Sequence, residues 1–466
     1  MVAVLAGTGL IAAFMQTLVT PVYPELPLLL DTTAADASWV LTSTLLAAAI
    51  STPISGRLGD MYGKRRVMIV LLAIMTGGSL IAAFSTTLIP MIVARSLQGI
   101  GLGVIALGIS ILRDVIHPKN LGGAVALVSA TLGIGGALGL PVAAIIAQSV
   151  DWHFLFWLAM VLSILAIVMV ATVIPVSTLR TGGRFDLPGA VGIAVGLVGI
   201  LLAVSKGTEW GWGSPLTLGP LIGGVVVLVL WGVFELRTDN PLIDLRVAAR
   251  RPVLLTNLAS IAVGFAFFIC SASLPILLEA PSTTGVGFAL PLLVASLCLM
   301  PLGLVMFFTS PIAARLSAAR GSRTSFILGQ VIIAVTFGAA VFLTDAVWHV
   351  ILISTFVGFG VGFAYAAMPT LIMRAVPPTE TAAANGLNSV MRTLGSTISA
   401  TLVGIILSTH ATVVDGISIP TREGFQLTFA LGAGVVLAAV VIALFIPKSS
   451  PRYDDTASIP IVGAKE

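Results

Sequence analysis

Apolar residues in this chain neither alternate with polar ones nor confine themselves to one helical face. They run on without charge for about 20 residues at a time, the length a helix needs to cross roughly 30 Å of hydrocarbon. Fourteen such spans are predicted, over 3–28, 38–56, 66–86, 88–112, 122–148, 154–175, 187–205, 216–234, 252–278, 287–313, 325–343, 347–373, 385–408 and 424–446. Continuous rather than alternating runs point to helices and exclude the strands of a membrane β-barrel. A single secretory leader would place one apolar run near the start, whereas here they continue to the end.

Composition supports a lipid solvent. The 466 residues are 58% hydrophobic and only 9% charged, against roughly 25% charged in soluble domains. Mean hydropathy is +1.11. The few cations are distributed unevenly, and lysine and arginine resist translocation. With the N-terminus in the cytoplasm, connectors on that side carry Arg57, Lys64, Arg65, Arg66, Arg113, Lys119, Arg180, Arg184, Arg237, Arg246, Arg250 and Arg251. They also carry Arg315, Arg320, Arg323, Arg374, Lys448, Arg452 and Lys465, leaving only Lys206 and Arg422 outside and Arg95 and Arg392 within spans. The net charge of +4 is thus read as membrane topology, and no nucleic-acid motif accompanies it. Cys270 and Cys298 both fall inside spans and read as small packing residues. They and the four scattered histidines form no metal-ligand spacing, so no metal or cofactor is expected.

The chain repeats itself. "TPISGRLGDMYGKRR" at 52–66 returns as "SPIAARLSAARGSRT" at 310–324, sharing Pro53/Pro311, Arg57/Arg315, Leu58/Leu316, Gly63/Gly321 and Arg65/Arg323. "GIGLG" at 99–103 returns as "GFGVG" at 358–362, and Pro118 as Pro377, at the same offset within one residue. The expected fold is therefore an all-α integral membrane protein with two similar six-helix bundles and two inserted helices, 14 in total. Residues 1–175 form the first bundle, 176–251 the inserted pair with its linkers, 252–446 the second bundle and 447–466 a hydrophilic tail. Two such halves on one chain are the layout of secondary transporters, whose site lies between the halves.

The charged stretch "GRLGDMYGKRR" at 56–66 interrupts two apolar runs. It resembles the signature between helices 2 and 3 of the major facilitator superfamily, Gly-x-Leu-x-Asp-x-x-Gly-Arg/Lys-Arg/Lys, with Gly56, Asp60, Gly63, Lys64 and Arg65 at its positions. The glycines allow a tight turn and close helix approach, and Asp60 can cap or pair with helix ends across the bundle interface. This stretch is expected to gate the cytoplasmic side. "RSLQGIG" at 95–101 resembles the family's Arg-x-x-Gln-Gly motif, which implies proton coupling for Arg95 and Gln98; an intramembrane arginine should face a cavity or a partner. "GGALGLPVAA" at 135–144 is similar to the Gly-x-x-x-Gly-Pro-x-x-Gly-Gly motif of drug:proton antiporters, through Gly135, Gly139 and Pro141. There the proline stands one place late and alanines replace the last glycines. "GTEWGWGSP" at 207–215, "NPLIDLRV" at 240–247 and "NGLNSVMRTLGS" at 385–396 resemble the fourteen-helix antiporter branch, and Trp210 and Trp212 suit an interfacial belt.

One departure stands out. The branch carries an aspartate midway along helix 1, where this chain has Met15 beside Gln16. Proton coupling, as the resemblance implies it, then falls to Glu25 at the outer end of helix 1, with Glu279 a second candidate. Phe14, Met15, Gln16, Phe265, Phe267, Phe268 and Arg392 are the candidate substrate-cavity residues. That largely apolar set suits lipophilic or amphipathic small molecules.

The resulting expectation is a monomeric multi-pass exporter of drug-like compounds in a bacterial inner membrane, with both termini cytoplasmic. It would exchange its small-molecule substrate for protons by alternating access. No Walker-type phosphate loop and no catalytic constellation appears, so neither ATP-driven transport nor an enzyme is expected. An exporter or importer of one metabolite, and a non-transporting sensor or scaffold, remain open at this stage. The first span begins almost at Met1, which is compatible with a start further upstream.

Overall fold

The computed structural model describes residues 1–176, 184–282, 286–414 and 417–448. Arg180, Arg452, Lys465 and the rest of the expected tail from 449 lie outside the described residues, as do the side chains of Pro24, Pro118 and Lys119.

Fourteen helices are long and apolar enough to cross a membrane. They are α1 (Val2–Tyr23), α2 (Trp39–Tyr62), α3 (Lys64–Ala83), α4 (Leu88–Val115), α5 (Asn120–Ser149), α6 (Phe154–Val173) and α7 (Leu187–Gly207). There follow α8 (Pro215–Glu235), α9 (Arg251–Glu279), α10 (Leu292–Arg320), α11 (Ser322–Ala340), α12 (Val347–Ala375), α13 (Thr381–Thr409) and α14 (Arg422–Leu444). The first is shorter than expected. Its α-helical part ends at Thr17, and Thr20–Glu25 continues as a 3-10 turn, because the prolines of "PVYPELP" remove backbone donors and bar regular helix. A small antiparallel hairpin, Ala411–Val414 with Ile417–Pro420, joins α13 to α14 in an otherwise helical chain.

Two separate cores follow the two halves. One is built from α1–α6, around Leu18, Met75, Leu107 and Phe156. Its counterpart, from α9–α14, is centred on Phe326, Phe337, Val357 and Phe429. The inserted pair α7–α8 packs through Ile193, Leu197 and Leu201 against Ala49 of α2 and Val390 of α13, bridging the halves from the side.

The charged stretch is not a loop. Helix α2 runs on through Arg57 and Asp60 to Tyr62, and a single residue, Gly63, separates it from α3. Its repeat behaves alike, with Gly321 alone between Arg320 and Ser322. Both glycines have positive φ, 102° and 87°, where a side chain is strained. In each half the following arginine also ties the third helix to the last: Arg65 donates to the carbonyl of Ala171, and Arg323 to that of Leu444. The repeat seen in the sequence is thus a repeat of backbone and contacts.

Candidate functional site

The halves meet along α2 with α13 and α5 with α10. Close approach depends on missing side chains: a Cβ on Gly56 would stand 2.6 Å from the carbonyl oxygen of Ala382, and one on Gly386 would stand 2.9 Å from that of Thr52. This brings the end of α2 onto the N-terminus of α13. There Asp60 Oδ2 accepts a hydrogen bond from the backbone N–H of Ala383 at 3.2 Å. Unpaired N–H groups at a helix start carry partial positive charge, which favours a carboxylate.

Lys64 holds the acid side of this clasp together. Its Nζ donates to both oxygens of Asp114 at 2.8 Å and lies 3.7 Å from Asp60 Oδ1. Next to Asp114, Arg113 reaches across to the other half, donating to Thr381 Oγ1 at 2.5 Å and to the carbonyls of Val376 at 3.2 Å and Pro377 at 3.4 Å. Arg57 and Lys64, expected in a connector between two spans, are buried. Arg113, Asp114 and Thr381 are participants that sequence reasoning missed. An adjacent cation and anion at the end of α4, on the same side as the charged stretch, was the available signal.

Beside the clasp, Arg57 and Glu380 line a pocket of about 180 Å³ closed by the linker residues Asn240–Asp244. Burial, and secondarily the Asp244 carboxylate, raise the Glu380 carboxyl above the ordinary glutamate range against the opposing charges of Arg57 and Arg250. A larger cavity of about 720 Å³ opens at the same end between the halves, lined by His117, Asn120, Arg315, Ser317, Thr370 and Arg374.

The proton-coupling candidates are placed differently from expectation. Arg95 is 1% exposed and is held by neutral oxygens, Gln98 Oε1 at 2.7 Å and the carbonyls of Met15 at 3.3 Å and Val40 at 3.4 Å. Gln98 in turn donates to Ser79 Oγ at 2.9 Å. No carboxylate pairs with Arg95 among the described residues; the partners an intramembrane arginine requires are neutral here. Glu25 is exposed at the end of the 3-10 turn that continues α1. Glu279 is exposed too.

The cavity candidates also separate. Phe14, Met15 and Phe265 are packed inside their own bundles, since large apolar groups fill the cores first. Gln16 is exposed, and Phe268 is half-buried. Arg392 is half-buried, with its guanidinium 4.5 Å from the ring centre of Tyr365, and Phe267 lies 6.5 Å from the same ring. Its Nη2 approaches Ser389 Oγ at 3.4 Å, and its Nε has no hydrogen-bond partner among the described residues. Gly135 and Gly139 let α5 close onto α1 around Leu10, Ala13, Phe14 and Thr17, with Pro141 buried two residues on.

At the opposite end, Lys206 is no loop residue. It is 1% exposed on α7, donates to Ser38 Oγ at 2.5 Å and Glu209 Oε2 at 2.8 Å, and stands 4.9 Å from the Trp39 ring centre. The inserted pair is therefore anchored to the start of α2.

Comparison with known proteins agrees with this architecture. The family profile described as "Major Facilitator Superfamily" matches residues 5–400 and 294–460. Multidrug resistance protein 3 of Bacillus subtilis is 26% identical over 378 residues, covering 79% of this chain and 72% of its own length. Lincomycin resistance protein LmrB of Listeria monocytogenes is 23% identical over 454 residues, covering 95% of both chains. Among solved structures, the human organic anion transporter MFSD10 superposes with a TM-score of 0.68 at 14% identity, over 95% of this chain and 98% of its own.

Proposed function

This chain belongs to the Major Facilitator Superfamily, a family of transporters, and we propose that it exports lipophilic or amphipathic drug-like small molecules in exchange for protons. The observation that carries the reading is the clasp. Two bundles that pack along α2–α13 and α5–α10 are tied at one end by a few polar bonds, Asp60 to Ala383 and Arg113 to Thr381, which a modest change in free energy can make and break. Breaking them while the opposite end closes is alternating access. Relatives named for multidrug and lincomycin resistance support the substrate class. The mostly apolar helices leave few polar groups for a sugar.

In this reading the clasp faces the cytoplasm of a bacterial cell, both termini lie there, and the monomer encloses the path. Proton exchange uses a buried carboxylate, and the clasp supplies two, Asp60 and Asp114. A second reading, an exporter of one organic acid, is favoured by Arg392, a half-buried cation beside an aromatic ring with no acidic partner among the described residues. Liposomes containing the purified protein test both. An inward-acid pH gradient should drive accumulation of a lipophilic fluorescent dye, with matched proton release. Accumulation of acidic dyes alone would favour the second reading, and no gradient-dependent flux of any probe would overturn both.

A further inference from the structure

The inserted pair contributes nothing to the clasp, yet it buries two acids at the end that carries the α8–α9 linker. Asp186, just before α7, is 7% exposed, and Glu235, the last residue of α8, is 2% exposed. They converge. A Cβ built on Gly189 would collide with Asp186 Oδ2 and Glu235 Oε1 together, so glycine keeps that point open for both. Asp186 Oδ1 caps α7, accepting the Gly189 N–H at 2.8 Å.

The remaining polar atoms are orphans. Asp186 Oδ2, both oxygens of Glu235 and the Trp231 indole Nε1 are buried with no hydrogen-bond partner among the described residues. The Trp231 indole N–H and the backbone N–H groups of Leu242 and Ile243 face Glu235 without reaching hydrogen-bonding geometry. Among the described residues no cation pairs with the two acids. Arg184, Arg237 and Arg246 are exposed, and Arg246 is committed to the carbonyl of Leu236 at 3.0 Å. On the elements packed alongside, Arg57 faces the pocket shared with Glu380 and Asp244, Arg250 donates to the carbonyl of Ala375, and Arg392 lies over Tyr365. Asp239 is exposed. Two ionised carboxylates cannot stay together in a site shut off from water, whereas one shared proton makes one of them a donor and removes the repulsion.

We propose that Asp186 and Glu235 are a proton-binding pair whose one shared proton keeps the α8–α9 linker docked on α2 and α13. The proton comes from the water at that end, and the O–H of one carboxyl donates to the other carboxylate. Docking matters because Leu242 and Ile243 pack with Ala49 of α2, Ile193 of α7 and Val390 of α13, across the two halves. Loss of the proton leaves two repelling anions at the facing ends of α7 and α8; their separation draws the linker that follows Glu235 away from α2 and α13, and the Leu242 and Ile243 N–H groups only partly offset that repulsion. This role goes beyond the proposed export and does not depend on the substrate.

The test uses the purified full chain in detergent with Cys270→Ala and Cys298→Ala. Alkylation of Ile243→Cys by a water-soluble maleimide is normalised to that of Asn240→Cys, which is exposed on the same linker. The ratio should rise on the order of tenfold from about pH 6 to about pH 9. Glu235→Gln, a permanent mimic of the protonated acid, should keep it low throughout. Asp186→Asn should do the same and carries the test should Glu235→Gln not fold. A flat ratio in the parent protein would overturn the proposal. So would a pH response that survives both substitutions, which would move the switch to Glu380 or Asp244. A ratio that follows sodium or potassium concentration instead of pH would assign the pair to a metal ion and overturn it as well.

Discussion

Asp60 and Ala383 stand at the meeting point of the two bundles, the carboxylate of one accepting a backbone N–H at the start of α13 of the other. The pair ties chain segments more than 300 residues apart, and Arg113 ties the same segment through Thr381 and two carbonyls. An ionised carboxylate accepts a stronger hydrogen bond than a neutral amide does. Asp60→Asn should weaken closure by about 1–2 kcal/mol, on the order of a tenfold shift in the closed population. Cysteine accessibility along α13 should rise and transport should fall. Combined with Arg113→Ala, the effect should be less than additive, because both residues hold Val376–Ala383.

Gly63 and Gly321 adopt backbone angles that other residues avoid. Gly63→Ala and Gly321→Ala should each cost about 1–3 kcal/mol, read as lower thermal midpoints in detergent. Gly122→Ala is the control. That glycine lies inside α5 with nothing near its missing Cβ, and alanine there should be neutral or stabilising by up to about 1 kcal/mol.

Arg95 is held by neutral oxygens, and Glu25 is exposed. Arg95→Lys should lose about 2–3 kcal/mol by leaving buried acceptors without donors, seen as a lower thermal midpoint. Glu25→Gln should retain the full pH-gradient dependence of transport. A variant that still transports but ignores the gradient would restore Glu25 as the coupling group.

Glu380 has its carboxyl raised by burial and by Asp244. The folded protein therefore holds this proton more tightly than the unfolded chain does. The resulting stability is complete below the ordinary glutamate pKa and is lost as pH rises through the raised value. Thermal midpoints measured across the weakly acidic range should fall with pH, and Glu380→Gln should flatten that limb. Identical slopes in both proteins would show a solvated Glu380.

Much of this was legible without coordinates. Hydropathy is a local property, so the fourteen helices, the repeat and the family could be read directly from runs and spacings. The lipid outside selects those runs one at a time. Burial of polar groups could not be read in that way. Arg57, Lys64 and Lys206 look like charges in connectors between spans in the sequence, and Phe14 and Phe265 look like a cavity wall. Only packing shows that the cations are enclosed and the rings belong to the cores. The partners that decide chemistry also lie far apart along the chain. Asp60 meets α13, Lys64 meets Asp114, Arg95 finds the carbonyls of Met15 and Val40, and Asp186 meets Glu235 through a gap left by Gly189. Which groups share a dry volume depends on how helices cross, and that is a property of the assembled halves.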